Sequence, residues 1–66
     1  MKFKFIGKPT LLMDTLSTGK IYEILQFEKY SKYLIVYLID DNNNLLTISY
    51  ITIIKFNEDW SYIGDE

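Results

Sequence analysis

The chain has 66 residues and a formal net charge of −2, and 48% of its residues are hydrophobic and 17% aromatic. This length predicts one domain, residues 1–66, with one thin core, and the apolar content excludes a disordered chain. Cysteine, histidine and arginine are all absent, which excludes disulfides, thiolate or imidazole metal ligands, the commonest general base, and the guanidinium that reads phosphate and guanine.

The N-terminal segment predicts a strand followed by a long loop. Residues 2–5 alternate lysine with phenylalanine, a pattern typical of a half-buried strand with Phe3 and Phe5 facing inward. Residues 9–19 mix polar and apolar side chains and predict a partly packed loop that closes one end of the domain. A single helical turn over residues 11–16 is the alternative.

Residues 20–28 predict the second strand, and both of its faces carry apolar groups. Strict alternation places Tyr22, Ile24 and Gln26 on one face. The other face then carries Ile21, Glu23, Leu25 and Phe27. Apolar side chains on both faces suit a strand that is curled within a small barrel. Residues 28–32 then predict a polar connection to the next strand.

The middle of the chain predicts a hairpin. Residues 33–39 form the most β-like run, and residues 45–50 form its return strand. Between them, residues 40–44 read Asp-Asp-Asn-Asn-Asn, and these side chains bond their own backbone and tolerate the left-handed region.

The C-terminal residues predict the end of a small barrel. Residues 51–54 predict a short 3₁₀ turn or a continuation of the preceding strand, and residues 55–57 predict a closing strand. Residues 60–63 extend that strand or cover one end of the barrel. The sequence therefore predicts an all-β fold, a barrel of five or six antiparallel strands with a long first loop.

The order of these segments carries a resemblance to a known group. Residues 16–24 read Leu-Ser-Thr-Gly-Lys-Ile-Tyr-Glu-Ile, a later strand ends in Asp40-Asp41, and Phe56 closes the pattern. Over most of residues 1–57 the chain resembles small SH3-like β-barrel proteins of unknown function from Gram-positive bacteria and their phages. The resemblance implies an SH3-like barrel and a phage or prophage origin. It supplies no catalytic or binding residues.

The acidic residues and Gly19-Lys20 predict no catalytic or cofactor site. Residues 40–44 carry oxygen ligands but lack the spacing and the closing glutamate of a calcium loop. Gly19-Lys20 lacks the preceding glycine of a phosphate-binding loop. A barrel of this size leaves little room for the concave site that paired carboxylates need, here Glu23, Glu28, Asp40 and Asp41. We therefore expect a non-enzymatic protein without metal or cofactor.

Nine of the eleven aromatic residues, which are six Tyr, four Phe and one Trp, divide into two groups. The first group is expected in the core and consists of Phe3, Phe5, Tyr22, Phe27 and Phe56. The second group lies at loop or terminal positions and comprises the candidate protein-binding residues Tyr30, Tyr33, Trp60 and Tyr62. Aromatic side chains that are exposed together form anchors for protein–protein contacts.

Binding of a host or phage protein is therefore the preferred function, in particular modulation or inhibition of a host defence or regulatory protein. A small barrel that binds nucleic acid is the alternative, and a contiguous lysine face would favour it, made by Lys2, Lys4, Lys8, Lys29 and Lys32. The uncharged run 48–54 would aggregate on an open edge, so we expect it to be paired either inside the barrel or with another copy of the chain in a homodimer. No signal peptide or membrane span is predicted, so the expected location is the cytoplasm.

Overall fold

A computed structural model describes residues 1–65. It contains five antiparallel strands in one sheet and one short helix, which confirms the predicted all-β fold. The elements are β1 Lys2–Phe5, β2 Ile21–Lys29, β3 Leu34–Ile39, β4 Leu45–Tyr50, α1 Ile53–Asp59 and β5 Trp60–Gly64. The strand order is β4-β3-β2-β1-β5, so that β4 and β5 are the two edges and the sheet is not closed.

The first predicted strand, the long loop and the central hairpin are confirmed. β1 coincides with residues 2–5, and residues 40–44 connect β3 to β4. In the connection from β1 to β2, Leu16 is buried while Leu11 and Leu12 are exposed. Two turns form there, in which the Met13 N–H donates to Thr10 O at 3.0 Å and the Leu16 N–H to Met13 O at 3.1 Å, but no helix forms. Gly19 has a φ of +90°, and its N–H donates to Phe5 O at 2.7 Å. Glycine adopts this left-handed conformation without steric cost.

The prediction of a closing strand over residues 55–57 was wrong, because these residues lie in α1. Thr52 caps the helix: its side-chain oxygen accepts from the N–H of Lys55 at 3.1 Å. Residues 53 and 54 lie in the same helix, and residues 51 and 52 precede it, so the predicted 3₁₀ turn or continued strand over residues 51–54 was wrong. The Trp60 N–H donates to Phe56 O at the end of α1, where the backbone of Trp60 is already extended. The chain continues from there as β5, which pairs with β1.

A register shift in β2 changes which side chains face the core. Tyr22 and Ile24 are buried, as the alternation predicts. The pairing with β3 then shifts between Ile24 and Gln26, and a bulge of this kind places consecutive residues out of strict alternation. Gln26 is consequently exposed, and Phe27 packs against the core with its ring centroid 5.8 Å from that of Phe3. The prediction that Phe27 faces away from Tyr22 was wrong for this reason.

One hydrophobic cluster forms the core, and every element contributes to it. Its buried members are Phe3, Phe5, Leu16, Tyr22, Ile24, Leu34, Val36, Leu38, Ile48, Tyr50, Phe56 and Trp60. The predicted core aromatics are thus confirmed, with Phe27 partly buried at the margin. Within residues 1–65, no helix is both long and apolar enough to cross a membrane.

Candidate functional site

Tyr30 and Tyr33 form a stacked pair at the turn between β2 and β3. The Tyr30 N–H donates to Tyr33 O at 2.8 Å, which closes a turn over Ser31 and Lys32. The two rings lie 4.7 Å apart at an interplanar angle of 23°. Tyr30 is 46% exposed and Tyr33 43% exposed. The turn therefore holds two large aromatic side chains together on the surface.

A small cleft lies beside this pair, between residues 29–34 and residues 51–53, and we call it the tyrosine cleft. Its volume is about 170 Å³. Ile51 and Ile53 form its second wall and are 71% and 52% exposed. They stand there because Thr52, between them, caps α1. The sequence-based assignment of residues 51–54 to a strand or 3₁₀ turn missed this wall.

The charged side chains that line the tyrosine cleft are both cationic, Lys29 and Lys32. The Glu28 carboxylate lies nearby, where it accepts hydrogen bonds from the hydroxyl of Tyr37 and, at 3.4 Å, from the amide of Gln26. Its negative charge raises the pKa of Tyr30 above the ordinary value. Tyr30 is therefore neutral at physiological pH, and the cleft combines two aromatic rings, aliphatic side chains and two lysines.

The other two candidate residues, Trp60 and Tyr62, do not line the tyrosine cleft. Trp60 is only 2% exposed, and its indole Nε1 donates to the hydroxyl of Tyr50 at 2.9 Å. The expectation that Trp60 is an accessible anchor was therefore wrong: its position directly after α1 turns the ring into the core. Tyr62 is exposed on β5, with its ring 5.3 Å from that of Phe3. The structure thus brings together Tyr30 and Tyr33 alone.

A polar cluster around Asp41 joins the long loop to the β3–β4 turn. The Asp41 carboxylate accepts hydrogen bonds from Ser17 Oγ at 2.6 Å, Lys20 Nζ at 2.7 Å and the Tyr22 hydroxyl at 2.8 Å. The hydrogen bond from Lys20, followed by those from Ser17 and Tyr22, lowers the pKa of Asp41 to about 2. A carboxylate this acidic stays ionised at neutral pH and holds no proton to donate. Its contacts give it a structural role, which sequence reasoning missed because the partners lie about 20 residues away.

The remaining acidic candidates are also engaged in local contacts. Asp40 Oδ1 accepts from the N–H groups of Asn42 and Asn44 at 3.0 and 2.9 Å, which stabilises its own turn. These bonds, the one from Asn44 first, lower the pKa of Asp40. Glu23 pairs with the N-terminal amino group. In the part of the chain that the structure describes, no cluster of three or more potential ligand side chains could hold a metal ion.

The lysines fall into separate groups along the sheet. Lys29 and Lys32 line the tyrosine cleft. Lys2 lies on β1 opposite Glu23, and Glu23 is six positions before Lys29, which corresponds to roughly 20 Å along a strand. Lys2 is therefore distant from Lys29 and Lys32, and the five lysines do not form the contiguous face that would favour nucleic-acid binding.

Comparison of the chain with protein-family models, with curated proteins and with solved structures found no match. The function is therefore inferred from the surface itself, where the tyrosine cleft combines exposed aromatic, aliphatic and cationic groups.

Proposed function

We propose that this chain is a non-enzymatic protein-binding module with an SH3-like barrel fold, and that its partner docks in the tyrosine cleft. The strand order β4-β3-β2-β1-β5, the long connection before β2 and the short helix before β5 support this fold. The observation that carries the function is the exposed, stacked pair of Tyr30 and Tyr33 beside Ile51 and Ile53.

The tyrosine pair has the properties of a binding anchor. Tyrosine offers a large contact area with few rotatable bonds, and such residues carry much of the energy of protein interfaces. Here the turn and the mutual stacking already order both rings before any partner arrives. Binding then loses less side-chain entropy, because that entropy has been lost on folding.

The dimensions of the cleft favour a protein side chain over a metabolite. Pockets that hold small molecules usually measure about 300–1,000 Å³, whereas the tyrosine cleft measures about 170 Å³. A cleft of this size accommodates one apolar side chain of a partner, while the surrounding exposed residues contact its neighbours. Lys29 and Lys32 at the rim favour a partner segment that also carries negative charge.

The biological setting of the proposal comes from the sequence. The resemblance to small barrels of Gram-positive bacteria and their phages supports a phage or prophage accessory protein. We propose that it acts in the host cytoplasm, where it modulates, and in particular inhibits, a host defence or regulatory protein.

Affinity purification with matched variants tests the proposed site. The wild-type chain, the double variant Tyr30→Ala/Tyr33→Ala and the control Tyr62→Ala are each used to enrich proteins from a Gram-positive lysate. We expect one protein that wild type and control retain and the double variant loses. Purified, that protein should bind the double variant at least about 30-fold more weakly, as for loss of a hot spot of 2 kcal/mol.

The outcome that contradicts the proposal is a partner that binds the double variant as tightly as wild type. Trp60→Ala is unsuitable as a control, because Trp60 belongs to the core and its loss would disturb every surface at once. A purely structural role for the tyrosine pair would lower the free energy of unfolding in the double variant without changing partner affinity.

Binding of single-stranded nucleic acid is the second candidate, because Lys29 and Lys32 line the same cleft as two aromatic rings. Bases stack on exposed aromatic side chains, while lysines contact the phosphates. Two lysine contacts predict a log–log slope of affinity against salt of about −1.4. Fluorescence anisotropy with labelled oligonucleotides tests this slope, with salt varied from about 20 to about 300 mM so that the screening of charges changes strongly. Lys29→Gln/Lys32→Gln should abolish the slope, and absence of binding at low salt excludes this candidate.

A further inference from the structure

The edge strand β4 has hydrogen-bonding groups that no other strand uses. Within residues 1–65, β4 pairs with β3 alone. The N–H of Asp40 donates to Asn44 O at 2.9 Å, and in an antiparallel ladder the bonded pairs recur at every second residue. The bonded positions of β4 are therefore Leu46, Ile48 and Tyr50. It follows that the N–H and C=O groups of Leu45, Thr47 and Ser49 point away from β3, along the open edge.

The strand β4 itself lacks the charges, proline and bulge by which soluble proteins protect an edge strand. Such strands usually carry lysine or another charged residue, proline, or a bulge that disrupts pairing. β4 reads Leu-Leu-Thr-Ile-Ser-Tyr, without charge or proline, and its pairing with β3 is regular over all six residues. An uncharged, regular and unpaired edge is a template for another strand.

Space for another strand is present beside β4. A cleft of about 450 Å³ separates residues 46–50 from Thr10, Leu12 and Met13 of the long loop. All of its lining side chains are uncharged. Leu12 is 85% exposed at the far wall, where it would contact a strand that enters the cleft.

We propose that the occupant is β4 of a second copy, paired antiparallel across a two-fold axis at Thr47. This register pairs Thr47 with Thr47 of the partner subunit, and Leu45 with Ser49 of the partner subunit. All three outward-pointing positions are then used, which gives about six backbone hydrogen bonds. On the inner face, Leu46 lies opposite Ile48 of the partner subunit, so that the two apolar cores become continuous.

The charge distribution favours a second copy as the occupant. When β4 pairs with β4 of a second copy across a two-fold axis, each strand lies opposite an identical strand. Charged residues in β4 would therefore place like charges opposite one another. β4 carries none. The residues of β4 can therefore lie opposite their copies in a second chain without a contact between like charges.

Sedimentation equilibrium from 5 to 500 μM, a range that spans typical weak homodimers, tests the association. We expect the mass to rise with concentration from 7.9 kDa toward twice that value. Thr47→Lys should weaken the dimer at least tenfold, because it places two cations across the axis. The matched control Gln26→Lys adds the same charge at an exposed position of the central strand β2 and should dimerise as wild type does.

A disulfide test checks the register. The chain has no cysteine, so Thr47→Cys introduces a single thiol. Directly opposite residues in a bonded pair have Cα atoms about 5.5 Å apart, within the range of a disulfide. In a glutathione buffer, Thr47→Cys should form a covalent dimer that Gln26→Cys does not form. Tyr30→Ala/Tyr33→Ala should dimerise as wild type does, which separates this proposal from the proposed function.

Two results overturn the proposal. One is a mass of 7.9 kDa for wild type at every concentration, which would leave the β4 edge to a strand of another protein. The other is a dimer that Thr47→Lys leaves intact and that Thr47→Cys does not cross-link, which would place the interface elsewhere. Circular dichroism establishes that each variant is folded, and both substituted side chains start from exposed positions.

Discussion

Two stacked aromatic pairs have opposite environments in this protein. Phe56 and Trp60 stack with an interplanar angle of 15° and ring centroids 6.2 Å apart, and each is only 2% exposed. Tyr30 and Tyr33 stack at 23° and 4.7 Å with almost half of each side chain exposed. Both pairs are nearly parallel, and the difference in burial separates a pair that stabilises the fold from a pair whose surface is available to a partner.

Local structure explains why each pair forms. Phe56 lies in α1 and Trp60 follows four residues later, at its end, and a spacing of four residues places side chains on one side of a helix. That side faces β1 and β2, where Trp60 contacts the rings of Phe5 and Tyr22. Tyr30 and Tyr33 instead flank a turn, three residues apart. A turn lies at the end of the sheet, where no second layer covers it.

The largest effect on the free energy of unfolding is expected for Trp60→Ala, which removes one ring of the buried pair. Truncation of a buried tryptophan costs about 3–5 kcal/mol, and a chain of this length has a total stability of about 3–10 kcal/mol. We therefore expect a large loss of the free energy of unfolding, measured by urea denaturation and circular dichroism. The control Tyr62→Ala, on the same strand but exposed, should lose about 1 kcal/mol or less. Equal losses would contradict the division between buried and exposed aromatics.

Tyr50→Phe is expected to have the next largest effect. The Tyr50 hydroxyl accepts from the Trp60 indole at 2.9 Å and donates to an Asp59 carboxylate oxygen at 2.9 Å. Phenylalanine keeps the ring but leaves the buried indole N–H without its acceptor, at a cost of about 1–3 kcal/mol. Urea denaturation at pH 7 measures this loss. A change below about 0.5 kcal/mol would show that the hydrogen bonds around Trp60 do not support the buried pair.

Alkaline pH provides a second measurement on the same residue. Burial raises the pKa of Tyr50 well above its usual range, so the neutral form is favoured in the folded state. The resulting stability is present below about pH 10, the pKa of an unfolded tyrosine, and is lost as the pH rises above it. Between pH 9 and 11 the Tyr50→Phe variant should therefore lose less stability than wild type. The same slope in both proteins would contradict this assignment.

The local sequence pattern was sufficient to predict some elements of the fold and insufficient to predict others. The alternation of lysine and phenylalanine predicted β1, and the Asp-Asn run predicted the turn between β3 and β4. Helix α1 was missed because Ile51-Thr52-Ile53-Ile54 has the composition of a strand, whereas the outcome depends on the Thr52 cap and on burial of Phe56. The bulge in β2 is set by pairing with β3, and no property of residues 24–26 alone predicts it.

The same distinction applies to the candidate site. Tyr30 and Tyr33 were predicted because they flank a polar turn, which is a local feature of the sequence. Ile51 and Ile53 line the same cleft, but they join it only after the helix cap has formed and the sheet has brought residues 29–34 close to them. Trp60 was misassigned because its burial depends on contacts across the fold with Tyr50 and Phe5. Contacts between distant segments are not encoded in the pattern of either segment.

The Asp41 cluster is expected to have a smaller effect that depends on acid pH. The pKa of Asp41 is lowered to about 2 from an ordinary 3.8. The ionised carboxylate therefore stabilises the folded state above about pH 4, and this stabilisation is lost as the pH falls toward about 2. In Asp41→Asn this part of the acid slope should disappear. Thermal unfolding of both proteins at pH 2, 3, 4 and 7, points that bracket ordinary carboxylate pKa values, provides the comparison. An unchanged slope would mean that other carboxylates dominate acid unfolding.

The smallest effect on stability is expected for the double variant Tyr30→Ala/Tyr33→Ala. An aromatic pair contributes about 0.5–1.5 kcal/mol beyond the area that it buries, and the exposure of both rings places this pair at the low end. We expect a loss of about 1 kcal/mol or less by urea denaturation, with the spectrum of the folded state unchanged. Tyr30→Phe/Tyr33→Phe keeps the stack and removes only the hydroxyl groups, so it should match wild type.

A loss as large as that for Trp60→Ala would place the tyrosine pair among the stabilising contacts and remove the argument for a binding surface. A small loss supports that argument, because side chains that contribute little to folding are ordered here by a turn and a neighbouring ring alone. Two large rings and two isoleucines would then stand exposed at one site without a stabilising role. The proposed partner accounts for that exposure, since its binding would bury the apolar surface that folding leaves in water.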